Sequence, residues 1–151
     1  MLPLKCAHGI RGMLQLALIH KANSEAFTKA CDLADTLRVP RPLFSKILYR
    51  LAEAGLVESR KGPSGGVRLA SRPADTSILA IIEALDATAF KSCVMGFPEC
   101  SGKSPCPLHA FWAKHRRVLL DRLAATSLSD WQSGKHQTML SLKQPSAKTS
   151  K

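Results

Sequence analysis

Three cysteines and one histidine carry the reactive chemistry of this chain: Cys93, Cys100, Cys106 and His109. Three of the five cysteines fall within fourteen residues, six residues separating the first two and five the last two. Pro98, Gly102, Pro105 and Pro107 interrupt any regular helix or strand here. A looping backbone of that kind could turn three sulfurs toward one point. A helix is expected to follow, with Cys106 at or near its N-cap and Pro107 at its first position, where a missing N–H is harmless. A helix N-terminus favours negative charge and would stabilise a Cys106 thiolate. His109, three residues on, would share its face. Three thiolates and an imidazole would make a four-ligand set for an iron–sulfur cluster or for zinc.

The residues leave other chemistries open. The N-terminus, Met1-Leu-Pro-Leu-Lys5, leads straight into an amphipathic pattern and not into a signal peptide, so a cytoplasmic location is expected. An odd number of cysteines in such a protein argues against a structural disulfide framework. Zinc sites usually use tighter Cys-x2–4-Cys turns. Ligand type alone does not fix the metal, so iron–sulfur, zinc and a redox-active or inert thiol group all stand at this point.

The chain that positions these residues is basic. It has 151 residues and a formal net charge of +11. Residues 38–72 hold eight Lys/Arg against Glu53 and Glu58, whereas residues 76–132 are nearly balanced, six basic to five acidic. A basic central block predicts a local polyanion-binding face, most simply for double-stranded DNA; the plainer reading is lysine that keeps the protein soluble. No apolar run is long enough to cross a bilayer, so no membrane partner is expected.

Residues 8–21 read as a helix, with Ile10, Met13, Leu14, Ala17 and Leu18 at helical spacing. A shorter helix is expected over 28–37, where Cys31 reads as a small packing residue. Arg38-Val-Pro-Arg-Pro42 reads as a turn, because two prolines oppose a continuing helix. A third helix over about 43–54 would bury Leu43, Phe44, Ile47, Leu48 and Leu51, and Gly55 would cap it. Helix, turn and helix with basic flanks is a DNA-binding pattern.

Leu56–Arg60 and Gly66–Ala70 read as two strands joined by Lys61-Gly-Pro-Ser-Gly65, a hairpin that would serve as a wing. Thr76 or Ser77 would cap a fourth helix through Leu85. A fifth, from about Pro107 to Ala125, shows a wide apolar face of Leu108, Phe111, Trp112, Leu119, Leu120 and Leu123 that points to a second subunit or, more simply, to its own domain. Ser127–Trp131 would add a turn of helix. The fold class is therefore mainly α with a small β-hairpin: a winged helix-turn-helix over 1–75, sensor loop and dimerisation helices over 76–131, and a disordered basic tail over 132–151.

These residues resemble the winged-helix regulators typified by the iron–sulfur regulator IscR and the nitric-oxide-sensitive repressor NsrR. The resemblance spans about residues 4–131. It is carried by Pro40-Arg-Pro-Leu-Phe-Ser-Lys-Ile-Leu48, Leu51-Ala-Glu-Ala-Gly-Leu-Val57, Lys61-Gly-Pro-Ser-Gly-Gly66, and Cys106-Pro-Leu-His-Ala-Phe-Trp112 after the two earlier cysteines. It implies a homodimer in which the long helix crosses between subunits and the cysteine loop lies near the partner's DNA-binding domain. Cys93, Cys100 and Cys106 match the family's cluster ligands, for a [2Fe-2S] or [4Fe-4S] cluster. His109 matches the histidine that IscR-like members use as fourth ligand. The carboxylate position of NsrR-like members corresponds to Ala7, which cannot ligate; Cys6 and His8 flank it. On the DNA side the resemblance places the third helix in the major groove, with Pro42, Ser45 and Lys46 facing DNA; Arg41 is a further candidate DNA-binding residue. It places the wing in the minor groove, with Arg60, Lys61 and Ser64, and Arg68 on the return strand. Ser45 stands where some relatives carry glutamate, and Lys61 where arginine is often seen, which alters base preference and minor-groove fit.

The resulting expectation is a dimeric DNA-binding transcription regulator, a repressor that senses iron, redox or nitric oxide state through its cluster. A zinc- or thiol-based regulator without a cluster, or an iron–sulfur carrier that does not bind DNA, are the alternatives. No Cys-x-x-Cys pair, nucleotide-binding glycine motif or catalytic triad supports an enzyme.

Overall fold

The computed structural model describes residues 2–97, 102–103 and 105–132. Helix α1 spans Leu4–Ala22 and begins earlier than the apolar spacing marks, directly after Pro3. It buries Cys6, Met13, Leu14, Leu16 and Ala17. Two glycines set how closely its neighbours approach. A Cβ on Gly9 would fall 2.2 Å from Leu85 Cδ1, and one on Gly12 would fall 2.8 Å from Phe44 Cζ.

Helices α2 (Ala30–Leu37) and α3 (Arg41–Glu53) form the helix-turn-helix. Helix α2 closes on Arg38, which takes a left-handed φ of 53°, and the N–H groups of Arg38 and Val39 donate back to Asp35 O and Ala34 O. Cys31, expected to pack inward, is partly exposed and its thiol lies 3.4 Å from Asp32 Oδ1. The turn is shorter than the two prolines suggest. Pro42 sits inside the first turn of α3, where no intrahelical N–H donor is required, so the helix starts at Arg41. Phe44, Ile47, Leu48 and Leu51 are buried as their spacing predicts. Phe44 is fully enclosed, and its truncation to Ala would cost about 3–5 kcal/mol. At the far end Gly55 adopts φ 72°, and the N–H groups of Gly55 and Leu56 bond to Ala52 O and Leu51 O.

Strands β1 (Val57–Arg60) and β2 (Gly66–Leu69) pair antiparallel, Val57 opposite Leu69 and Arg60 opposite Gly66. Their inward residues Val57, Val67 and Leu69 join the core. Thr28, just before α2, bridges to Val67 through bonds of 3.0 and 2.8 Å in the two directions. Only a glycine fits at 66, since a Cβ there would lie 2.4 Å from Thr28 O.

A 3-10 turn at Pro73–Asp75 leads to helix α4 (Ile78–Leu85), capped by Ser77, whose hydroxyl accepts from Ala80 N–H at 3.1 Å. Helix α5 runs from His109 to Ala125 and the short α6 from Leu128 to Gln132. Helix α6 returns to α1: Leu128 is fully buried, and Gln132 Nε2 donates to Ala17 O at 2.6 Å. One hydrophobic cluster holds residues of α1, α2, α3, the hairpin, α4 and Leu128, so the core runs without a break across positions 75 and 76. Cys100 and the tail beyond residue 132 lie outside the described residues. No described helix is long and apolar enough to cross a membrane.

Candidate thiol centre and nucleic-acid interface

Two tight turns bring two of the three loop cysteines together. Cys93 opens a turn closed by Gly96 N–H to Cys93 O at 2.9 Å, with Gly96 at φ 83°. Cys106 opens another: Pro107 occupies its second position, Leu108 has φ −95° and ψ 1°, and His109 N–H donates to Cys106 O at 2.9 Å, the pattern of a type I turn. Helix α5 therefore starts at His109, later than expected, and Cys106 sits one turn ahead of it. The two sulfurs end 3.6 Å apart, with Cys93 buried and Cys106 partly so.

That separation tests the donor set. Two thiolates on one tetrahedral metal with bonds of about 2.3 Å stand about 3.8 Å apart. A disulfide requires about 2.05 Å, shorter than the observed separation, so the two thiols are neighbours and not bonded. The separation of the pair thus matches two thiolates on a shared metal atom, and it also puts two free thiols side by side. Among the described residues no group of three potential ligand side chains gathers, and Cys100 lies outside them. His109 is partly buried on the first turn of α5, next to this pair in sequence. Cys6 takes another course: it is fully buried with its thiol 4.0 Å from Ile82 O, and burial, then the charge of Asp86, pushes that thiol up from its usual range. His8 is 5% exposed, and burial together with Arg11 lowers its basicity.

The residues expected to meet DNA fall on the helix-turn-helix and the hairpin. Pro42, Ser45 and Lys46 are exposed on one side of α3, and Arg60, Lys61 and Ser64 are exposed on the hairpin and its tip. The other two arginines expected at that surface, Arg41 and Arg68, are held by carboxylates. Arg41 pairs with Asp35 at 2.5 Å. Arg68 binds Glu58 at 2.8 Å and Glu25 at 2.6 Å, with its guanidinium 4.7 Å from the centre of the Phe27 ring. Sequence reasoning passed over Tyr49, which is 65% exposed one turn beyond Ser45 and, with Ser45 and Ser59, lines a shallow groove between α3 and the hairpin. Its position off the apolar stripe of α3 was the available signal.

A family model described as Rrf2, "Iron-dependent Transcriptional regulator", matches residues 5–133. The chain belongs to the Rrf2 family. Among relatives of this Rrf2 protein, IscR of Escherichia coli O1:K1 is 30% identical over 120 residues, 79% of this chain and 69% of its own. IscR of Vibrio vulnificus (strain YJ016) is 27% identical over 129 residues, 85% of this chain and 75% of its own. Among solved structures, CymR, the global cysteine regulator of B. subtilis, superposes with a TM-score of 0.72 at 25% identity, covering 88% of this chain and 96% of its own. IscR of T. potens shares the fold with a TM-score of 0.69 at 22% identity, over 96% and 93%. This Rrf2 chain is a winged-helix transcriptional regulator, and the expected fold class, mainly α with a small hairpin, is the one observed.

Proposed function

We propose that this protein is a dimeric DNA-binding repressor whose DNA affinity is set by an iron–sulfur cluster held by Cys93, Cys100, Cys106 and His109. The observation that carries the reading is the 3.6 Å approach of the Cys93 and Cys106 sulfurs, on the same chain as an exposed basic helix and hairpin. A bound cluster would supply a group that reacts with oxygen, nitric oxide or a shortage of iron. The chain's own residues do the rest. The loop thiolates bind, and the turn at Cys106–His109 transmits the loop's shape to α5. Ser45 and Lys46 on α3, with Pro42 and Tyr49, would meet bases in the major groove; Arg60, Lys61 and Ser64 would meet phosphates at the minor groove. Arg41 and Arg68 stand at the margins of that surface. A regulator of this kind acts where the DNA is, in the cytoplasm.

Anaerobic purification followed by visible absorption, iron and sulfide analysis tests the reading. Iron–sulfur charge-transfer bands with matching iron and sulfide support it, and a colourless protein after reconstitution overturns it. The same sulfur pair also favours a second reading, a thiol-based regulator without a cluster. The similarity to CymR, named a cysteine regulator, gives that reading weight. It would show as a colourless protein whose operator binding changes on thiol oxidation.

A further inference from the structure

The loop between α4 and α5 is bound to α5 through its backbone. Trp112 Nε1–H donates to Ser92 O at 3.2 Å. Arg116, one turn further on, donates from Nη1 to Lys91 O at 3.2 Å and to Phe90 O at 3.4 Å. Three consecutive carbonyls, those of residues 90, 91 and 92, are therefore taken by two side chains of one helix face. Phe90 itself sits at φ 64°, a left-handed conformation that a bulky residue adopts only when its surroundings enforce it. Cys93 follows Ser92 directly. Cys106 leads into the helix from which Trp112 and Arg116 project, through the turn closed on His109. Holding Ser92 on α5 consequently holds Cys93 over the start of α5, where the Cys106 sulfur is.

We propose that Trp112 and Arg116 are the positioning residues of the Cys93–Cys106 pair: together they clamp the carbonyls of residues 90–92 onto α5 and so set the spacing of the two sulfurs. Each acts through the backbone carbonyls it grips. Among the described residues the loop's own bonds at Cys93, Gly96 N–H to Cys93 O at 2.9 Å and Cys93 N–H to Phe97 O at 3.3 Å, close a local turn without tying it to α5, so its register against Cys106 comes from the neighbouring helix. The aromatic and the guanidinium are suited to it, since both are rigid, planar donors. The inference concerns the sulfur pair alone. It does not depend on which metal, oxidant or operator the protein meets.

The test is the thiol–disulfide equilibrium of metal-free full-length protein carrying Cys100→Ser. In glutathione buffers, the S–S bond of oxidised glutathione breaks, a Cys93–Cys106 bond forms, and two glutathione thiols leave with the two protons. Cleavage after Lys91, Lys103 and Lys114 puts the two cysteines on separate peptides, 92–103 and 104–114, so mass spectrometry counts only the intended bond. The effective concentration of the pair is the readout. Trp112→Phe keeps the ring and loses the donor, and Arg116→Met keeps the stem and loses both bonds. Each should lower the effective concentration by about two- to tenfold, the worth of a net hydrogen bond, while helix content by circular dichroism stays that of the parent. Arg117→Ala, exposed on the same helix, should leave it unchanged. Parental values in both clamp variants would overturn the proposal. So would a fall that merely tracks lost helix content, because α5 itself would then set the spacing. The equilibrium needs neither cluster nor DNA, so its outcome is separate from that of the absorption test.

Discussion

Arg68 on β2 donates from Nη1 to Glu25 Oε2 at 2.6 Å, tying the hairpin to the connection between α1 and α2 across 43 positions of chain. A second carboxylate, Glu58, and the Phe27 ring complete its surroundings. These partners set the angle at which the hairpin leaves the helices. Arg68→Met should lower stability in urea only slightly, because both carboxylate partners are solvent-exposed. It should weaken operator binding with little change in its dependence on salt. A salt slope reduced by about one would instead mean that the guanidinium leaves its carboxylates for a phosphate.

Lys61 at the hairpin tip provides the contrast. It is exposed, next to Gly62, which holds φ 103° and lets the tip turn sharply. Lys61→Ala should weaken binding about equally on all sequences and reduce the salt slope by about one, the mark of a single lost phosphate contact. Fluorescence anisotropy over a range of salt measures both, and an unchanged slope would take the wing tip out of the interface.

The difference between these two residues shows what was legible in the sequence. Local signals fixed local structure: Gly55 ended α3, the Gly-Pro-Ser-Gly run made the hairpin turn, and apolar spacing identified Phe44, Ile47, Leu48 and Leu51 as core. Wherever the outcome depended on a distant partner, the pattern fell silent. In the sequence Arg68 is indistinguishable from Lys61, and only the fold sets Glu25 beside it. Pro42 looked like a helix breaker because its tolerance depends on where the helix begins, and that was set by the close of α2 at Arg38. Trp112 read as part of an apolar face, whereas its N–H is engaged by a carbonyl 20 residues earlier. Of the site, the cysteine spacing declared a thiol centre, but only the two turns show that Cys93 and Cys106 meet.

Asp86 makes stability depend on acid pH. Its carboxylate accepts from the hydroxyl and the N–H of Thr88, at 2.7 and 3.1 Å, and pairs with Lys5 at 3.1 Å. The Thr88 hydroxyl first, then Lys5, hold its carboxyl below the usual carboxylate range. A depressed folded value means that the stabilisation is complete above the unfolded pKa, near ~3.9, and is lost as pH falls through the folded value. Asp86→Asn should cost about 1 kcal/mol at pH 7. The gap between parent and variant should shrink below about pH 4. Thermal melts across that range check it, and a gap independent of pH would assign the loss to packing.

Helix α5 has no buried residue, and Phe111, Val118 and Leu119 are 62%, 63% and 38% exposed. Under the dimeric reading this face meets its equivalent in a second copy. Leu119→Asp should then place an unpaired charge in the interface and cost several kcal/mol of dimer stability. Sedimentation at micromolar concentration is the measurement. A dimer that persists unchanged would put the interface on another face.

The proposed cluster joins the two ends of the molecule, and its ligands should not be equivalent. Loss of Cys93, Cys100 or Cys106 removes a thiolate anchor, so each single replacement should abolish the visible chromophore. His109→Ala should leave a cluster that assembles but decays faster, because an imidazole is the weaker ligand. His109→Cys should restore stability and lower the reduction potential, since a thiolate donates more charge to iron. The effect on DNA follows from where the loop is attached. Its first limb hangs on α5 through Trp112 and Arg116, and its root at Asp86 is paired to Lys5 at the start of α1. Helix α1 in turn packs on α3 through Gly12 and Phe44. Ordering the loop around a bound group would bias these contacts and, in a dimer, the spacing of the two recognition helices. Operator affinity should therefore differ between cluster-loaded and metal-free protein by a coupling of roughly 1–3 kcal/mol, about 5- to 150-fold. Anisotropy titrations of both forms on a genuine target measure it. Equal affinities would remove the sensing role and leave the winged helix a DNA-binding protein without a switch.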